Sequence, residues 1–389
     1  MKYLWGYVTA AIFGAITWVL AQFGQRFSTL VDMVYPYVIR NLQDILAKWS
    51  SGVDFLLWQA AAVFLVVLVL ALLVVFLVLK KNPIQWAGWV LAVCAFVYMI
   101  YTLVFGLNYY AGDLADDIRM DVAQYNLEEL TEATEYYRDM AIVFAEWVPR
   151  DESGNVSYDD FDTLAGMAAD GFHTLTYDHS YPVFAGSTVP VKELGWADMY
   201  TSMGITGFTM GLTGEAAVNP QIPDMALPFT ICHEMAHRMC IASERDANFA
   251  AFLACSVHDN VQYLYSAYFM AYRYCYNALA SINSQDAAAA TARISNSVSE
   301  KLHHDLVYYN TFFANKQDAT ATDFANTVND TYLKTSGETE GIKSYGQVCD
   351  LLVSWHIQTV VLPSIAVVES QFDPFDETQV DLSGIVNAS

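Results

Sequence analysis

The segment Pro228-Phe-Thr-Ile-Cys-His-Glu-Met-Ala-His-Arg-Met-Cys-Ile-Ala-Ser-Glu-Arg-Asp-Ala-Asn-Phe249 decides how the chain is read. His233 and His237 stand four positions apart, so on a helix both imidazoles project from one face and can grip a single ion. Ile231, Met235 and Met239 fall on the opposite face, where they can pack into a core. Glu234, one position round from His233, cannot share the metal but can reach a water bound to it. A carboxylate so placed accepts a proton from the acidified water and later delivers it to a leaving amine. The arrangement needs one more protein ligand. Ser243 can cap a second helix with Asp246 at its third position, so the chain is expected to turn over residues 239–242 and bring Glu244 back to the imidazoles. Asp246 remains an alternative ligand, or a group that orients an imidazole from behind, and Cys240 an alternative thiolate. A charged helix with surface histidines is the plain structural reading.

Upstream of this segment, over residues 189–218, the texture changes to Gly, Thr and alternating apolar residues (MGITGFTMGLTGEAAVN, 203–219), which predicts short strands or extended pieces. Residues 205–218 could supply an edge strand for substrate or an ordinary core strand. Asn126 followed by Leu-Glu-Glu129 opens a helix to about Trp147, and Ser157-Tyr-Asp-Asp160 resembles a capping box for another. Downstream of residue 229 the pattern is helical, including the aromatic-rich run that follows Leu253. Residues 351–368 are apolar but contain His356, Gln358 and Pro363, and read as a buried helix rather than a membrane span. His258, His303, His304 and Tyr345 are candidates for polarising a scissile carbonyl.

The front of the chain is a different physical object. The 389 residues carry a formal net charge of −24, which argues against a nucleic-acid binder. Residues 1–107 hold six basic and three acidic side chains, whereas residues 108–389 hold 12 and 39. Mean hydropathy is +0.27, high for a soluble chain. The excess sits in three stretches expected to be transmembrane helices, about residues 3–22, 55–79 and 84–107. Val19-Leu20-Ala21 could pass for a signal-peptidase site, but the apolar stretch is longer than a signal h-region and is read as a retained helix. The short turn Lys80-Lys81 should face the cytoplasm, which places the acidic domain outside the cell membrane. In the loop between the first two spans, Val38, Ile39, Leu42, Ile45, Leu46 and Trp49 recur at helical spacing. They fit a helix lying in the membrane interface or one packed against the spans. Six cysteines without regular spacing do not read as a disulfide framework.

With these residues in hand, the chain resembles a family of bacterial integral-membrane zincin-like proteins of unknown function. The resemblance runs over nearly the whole chain through Phe105-Gly-Leu-Asn-Tyr109, Thr213-Gly-Glu-Ala-Ala-Val-Asn219, Pro228-Phe229 and the His-Glu-Met-Ala-His segment. It continues in Ala247-Asn248-Phe249, Leu253-Ala-Cys255, Tyr332-Leu-Lys334 and Ser344-Tyr-Gly346. It implies a membrane-bound zinc peptidase of the gluzincin kind, whose third ligand lies in a Glu-x-x-Ala-Asp/Asn context, here Glu244-Arg-Asp-Ala-Asn248. Two departures stand out. The family usually has Gly at the position of Cys240, and Arg245 interrupts the acidic run.

The resulting expectation is a mainly α chain: a membrane domain of three transmembrane helices (1–107), then an acidic, mostly helical zincin-like domain with a small β-sheet (108–389). Its function would be zinc-dependent hydrolysis of peptide bonds, with Zn2+ on His233, His237 and Glu244 and with Glu234 as general base. Its partners would be the lipid bilayer and a protein or peptide substrate. Two rivals remain: an envelope scaffold or sensor with a structural zinc, and a zinc amidase or esterase acting on non-protein material.

Overall fold

The computed structural model describes residues 4–122, 124–336 and 347–363. Four long helices form the front: α1 (Trp5–Arg26), α2 (Ser28–Ser50), α3 (Leu57–Val78) and α4 (Pro83–Val104). Of these α1, α3 and α4 are long and apolar enough to cross a membrane, and α3 keeps only Gln59 buried. Helix α1 packs along α4 with Gly6 against Gly88; a Cβ on Gly6 would stand 2.4 Å from the Gly88 carbonyl carbon. Small-on-small crossings of this kind are how helices in lipid gain contact. Asn82 caps α4, accepting from the Ile84 amide at 3.0 Å with Pro83 in the first turn.

The remaining elements are α5 (Leu114–Asp117), α6 (Leu127–Ala145), α7 (Phe161–Tyr177), α8 (Ala197–Ser202), α9 (Leu227–Arg238), α10 (Glu244–Ser256), α11 (Val261–Ser281), α12 (Gln285–Ser295), α13 (Glu300–Lys316), α14 (Ala319–Ser336) and α15 (Val348–His356). The strands are β1 (Lys192–Glu193), β2 (Gly207–Met210) and β3 (Glu215–Val218). The fold is therefore mainly helical, as the periodicities require. The expected capping of α6 is present in full, Asn126 accepting from the amides of residues 128 and 129 while Glu129 accepts from the Asn126 amide. The next cap differs from expectation. Asp160, not Ser157, caps α7, because its carboxylate reaches both the amide and the hydroxyl of Thr163.

Residues 205–218 form a hairpin, β2 antiparallel to β3, and β1 adds in parallel on the far side to give the order β1-β3-β2. Strand β2 is thus an edge. Helices α6, α7, α9, α10, α11 and α15 share one core in which α9 is buried along its whole length. Helix α15 is buried in that core and ends in a π-turn over Ile357–Val361. The buried helix expected over residues 351–368 is present as far as His356; residues 357–363 are half-buried or exposed, and the rest of that stretch lies outside the described residues. All six cysteines are free.

Candidate metal centre

The turn after α9 is where the geometry begins. The amide of Cys240 bonds to the His237 carbonyl and that of Ile241 to the Ala236 carbonyl, at 2.9 and 3.1 Å. This doubly bonded helix ending requires a left-handed residue, normally Gly. Cys240 takes that role with φ +72°, a conformation costing a residue with a Cβ roughly 1–2 kcal/mol. The departure from glycine is therefore tolerated with strain. Ser243 occupies the N-cap position of α10 with extended backbone, although its side chain makes no capping bond.

The same turn fixes a ring. It delivers the Ile241 carbonyl 2.9 Å from His237 Nδ1, which must donate to it, so in the neutral ring Nε2 keeps its lone pair. His237 Nε2 lies 3.1 Å from His233 Nε2, and Glu244 Oε2 lies 3.2 and 3.5 Å from those two nitrogens. Three buried ligand atoms converge, all within 4.8 Å of one another. This group could hold a metal ion. Burial acts against charge on His237, but the Glu244 carboxylate outweighs it and raises the imidazole to about 9. Burial likewise pushes the Glu244 carboxyl up, and His237 with His233 overcomes it and holds the acid far below the carboxylate range.

Glu234 packs onto the sheet. Thr209 Oγ1, on β2, donates to its Oε2 at 2.7 Å and also lies 2.9 Å from its carbonyl. Gly207 supplies the room: a Cβ there would stand 2.4 Å from Glu234 Oε1. Burial raises the Glu234 carboxyl above its ordinary value, although the imidazoles of His233 and His237 pull it back in part.

The other candidates go elsewhere. Asp246 accepts from the Leu114 amide at 3.0 Å and tethers α5. Arg245 reaches Asp113 at 3.6 Å instead of the acids of the centre. Both line a polar cavity of about 530 Å³ together with Cys240, whose thiol burial raises to about 12. His258 stacks on Tyr263 and bonds to the Met167 carbonyl and the Asn260 amide. His303 is exposed on α13, and His304 bonds to Asn155 at 3.0 Å. None of these three joins the triangle, and Tyr345 lies outside the described residues.

Residues 31–353 match the family described as protein of unknown function (DUF3810). The chain belongs to the DUF3810 family. No curated protein and no solved structure matches it. The DUF3810 match covers α9, α10 and the sheet, and also α3, α4 and most of α2. Around the centre of this DUF3810 protein stand residues that motif spacing does not reveal. Thr209 and Gly207 hold Glu234. Tyr109, which lies near Glu244, bonds through its hydroxyl to Tyr332 at 3.1 Å, and Tyr332 also bonds to Tyr101. Tyr109 and Tyr332 end or open two of the blocks that carry the family resemblance, the one signal that could have marked them.

Proposed function

We propose that this protein is a membrane-anchored zinc-dependent peptidase. The observation that carries the reading is the buried triangle of His233 Nε2, His237 Nε2 and Glu244 Oε2, with edges of 3.1, 3.2 and 3.5 Å. Tetrahedral ligands about 2.0–2.1 Å from zinc stand roughly 3.3 Å from one another, so the donor set fits that ion in size as well as in chemistry. Among the described residues no fourth His, Cys or carboxylate joins the group. That favours a catalytic over a structural zinc, since a structural site closes its coordination with protein ligands. Zinc bound there would lower the pKa of a water and polarise a carbonyl.

The chain's own residues do the rest. Glu234, raised by burial, is suited to accept the water's proton at Oε1, because Thr209 occupies Oε2. The edge of β2 beside it can align an extended peptide as an added strand. Ile241 holds the His237 ring in its ligating tautomer. By the positive-inside rule, the Lys80-Lys81 turn between α3 and α4 puts the acidic domain outside the cytoplasm.

The test is metal content and casein hydrolysis on the detergent-purified full chain. Wild type should carry about one zinc per chain and His233→Ala should lose it. Glu234→Gln should keep the zinc and lose hydrolysis by 10²–10⁴-fold, the usual contribution of a positioned base. A zinc-free wild type, or a fully active Glu234→Gln, would refute the proposal.

A further inference from the structure

The metal centre is bonded to the membrane end of the molecule. The Glu215 carboxylate on β3 accepts from the amides of Leu57 and Trp58, the first residues of α3, at 2.9 and 3.1 Å. Glu215 pairs across the hairpin with Met210, and Thr209, the next residue of β2, holds Glu234. Phe208 of the same strand packs on Trp58, ring centroids 5.1 Å apart. With strands about 4.8 Å apart and a rise of about 3.3 Å per residue, this path places Glu234 on the order of 15 Å from the start of an apolar span.

Helix α2 points the same way. It joins the end of α1 to the start of α3, so both of its ends are pinned where spans leave the membrane. Its inner face docks on the centre: Arg40 Nε donates to the Met239 carbonyl at 3.1 Å, and Gln43 to the Gly211 carbonyl at 2.8 Å. Its opposite face carries Val34, Val38, Ile45 and Trp49, each half or more exposed, while Met33 and Tyr37 border the polar cavity. Water would leave this stripe unsatisfied, and an apolar helix face continuous with membrane spans fits the boundary between headgroups and acyl chains.

We infer that the outer stripe of α2 lies in the bilayer interface and that the centre opens at the membrane surface, acting on polypeptide within roughly five extended residues of a membrane anchor. The substrate half rests on the peptidase reading; the bilayer contact does not.

The contact is tested on the full chain in phosphatidylcholine/phosphatidylglycerol liposomes, with a fluorophore at Val38→Cys, Ile45→Cys or, as control, Tyr177→Cys, all in a Cys94→Ala background. Labels at 38 and 45 should be quenched by lipids brominated near the glycerol end of the chain and shielded from aqueous iodide, with the reverse at 177. Equal iodide quenching at all three positions overturns the inference. So does shielding from both quenchers with cross-links between copies through α2, which would put a second copy on this face.

For the substrate half, a casein segment is offered free or tethered to a transmembrane helix through spacers of about 3, 10 or 25 residues. Hydrolysis should fall at least tenfold from the shortest tether to the free segment, and equal rates overturn the substrate half. Failure of every probe with zinc bound counts against the peptidase reading itself, and with it the substrate half, while the quenching result stands.

Discussion

Two buried carboxylates on neighbouring parts of the same domain are treated in opposite ways. Asp305 on α13 receives both Arg150 nitrogens, each at 2.8 Å, and the Tyr265 hydroxyl, so its charge and its lone pairs are matched within the protein. Glu244 on α10 faces two imidazole nitrogens at 3.2 and 3.5 Å, and its charge raises the His237 ring to about 9. A carboxylate whose partners are imidazoles is matched only while they carry a proton, and a metal ion can take that proton's place. The first carboxylate fastens two elements; the second belongs to a group that could hold a metal ion.

The contrast breaks most visibly at Asp305. Asp305→Ala strands the Arg150 guanidinium, and thermal or denaturant unfolding should show a loss of about 3–5 kcal/mol with zinc content per folded chain unchanged. Loss of zinc in step with stability would mean the two regions are one unit. Glu244→Gln should do the converse. Folding free energies of roughly 10–16 kcal/mol for four-ligand zinc sites amount to about 3–4 kcal/mol per ligand, so affinity in a chelator competition should weaken by at least about 10²-fold. If melting collapses while zinc is retained, Glu244 is a fastener too. Thr209→Val removes one charge-assisted bond from Glu234, worth about 1.5 kcal/mol or somewhat more, and should slow hydrolysis about tenfold with zinc intact and Thr209→Ser near wild type.

Asp117 is a different case, open to solvent on one side of the cavity beside Arg40. Burial and the neighbouring Asp32 raise it to about 6 despite Arg40. The folded state therefore holds that proton more tightly than the unfolded one. The stability it contributes is complete below about pH 4 and is lost as pH rises through 6. Asp117→Asn should flatten the fall in melting temperature across that window, an effect of order 1 kcal/mol or less once solvent screening is allowed for.

Most of the centre was legible because it is local. His233, Glu234, His237, the turn and Glu244 are set by helical spacing and one helix ending, and α6 announced its own capping box. What spacing could not show is long-range. Nothing in the composition of residues 205–218 says that Thr209 will meet Glu234, since that contact depends on how the hairpin lies across α9. Asp246 has a chemistry as good as that of Glu244 and lies two positions further on; only the direction of the first turn of α10 sends it to Leu114. The cap at Asp160 was misplaced because two Ser/Asp patterns overlap within four residues, and tertiary packing chooses between them. On α2 the helical spacing marks two faces, Ile39 turning inward while Val38, Ile45 and Trp49 turn out, but not what covers the outer one.

The bond from Glu215 to the first turn of α3 bears on where the chain can be divided. The jump in charge at residue 107 looks like a place to cut, yet a fragment starting there would take the Leu57 and Trp58 amides from the Glu215 carboxylate and leave it its ion pair with Lys192. It would also uncover the Met239 and Gly211 carbonyls, and free Lys192 from its bonds to the Ser50 and Phe55 carbonyls. The two parts are thus joined by bonds at several points, and a preparation that keeps those bonds has to keep the front end attached.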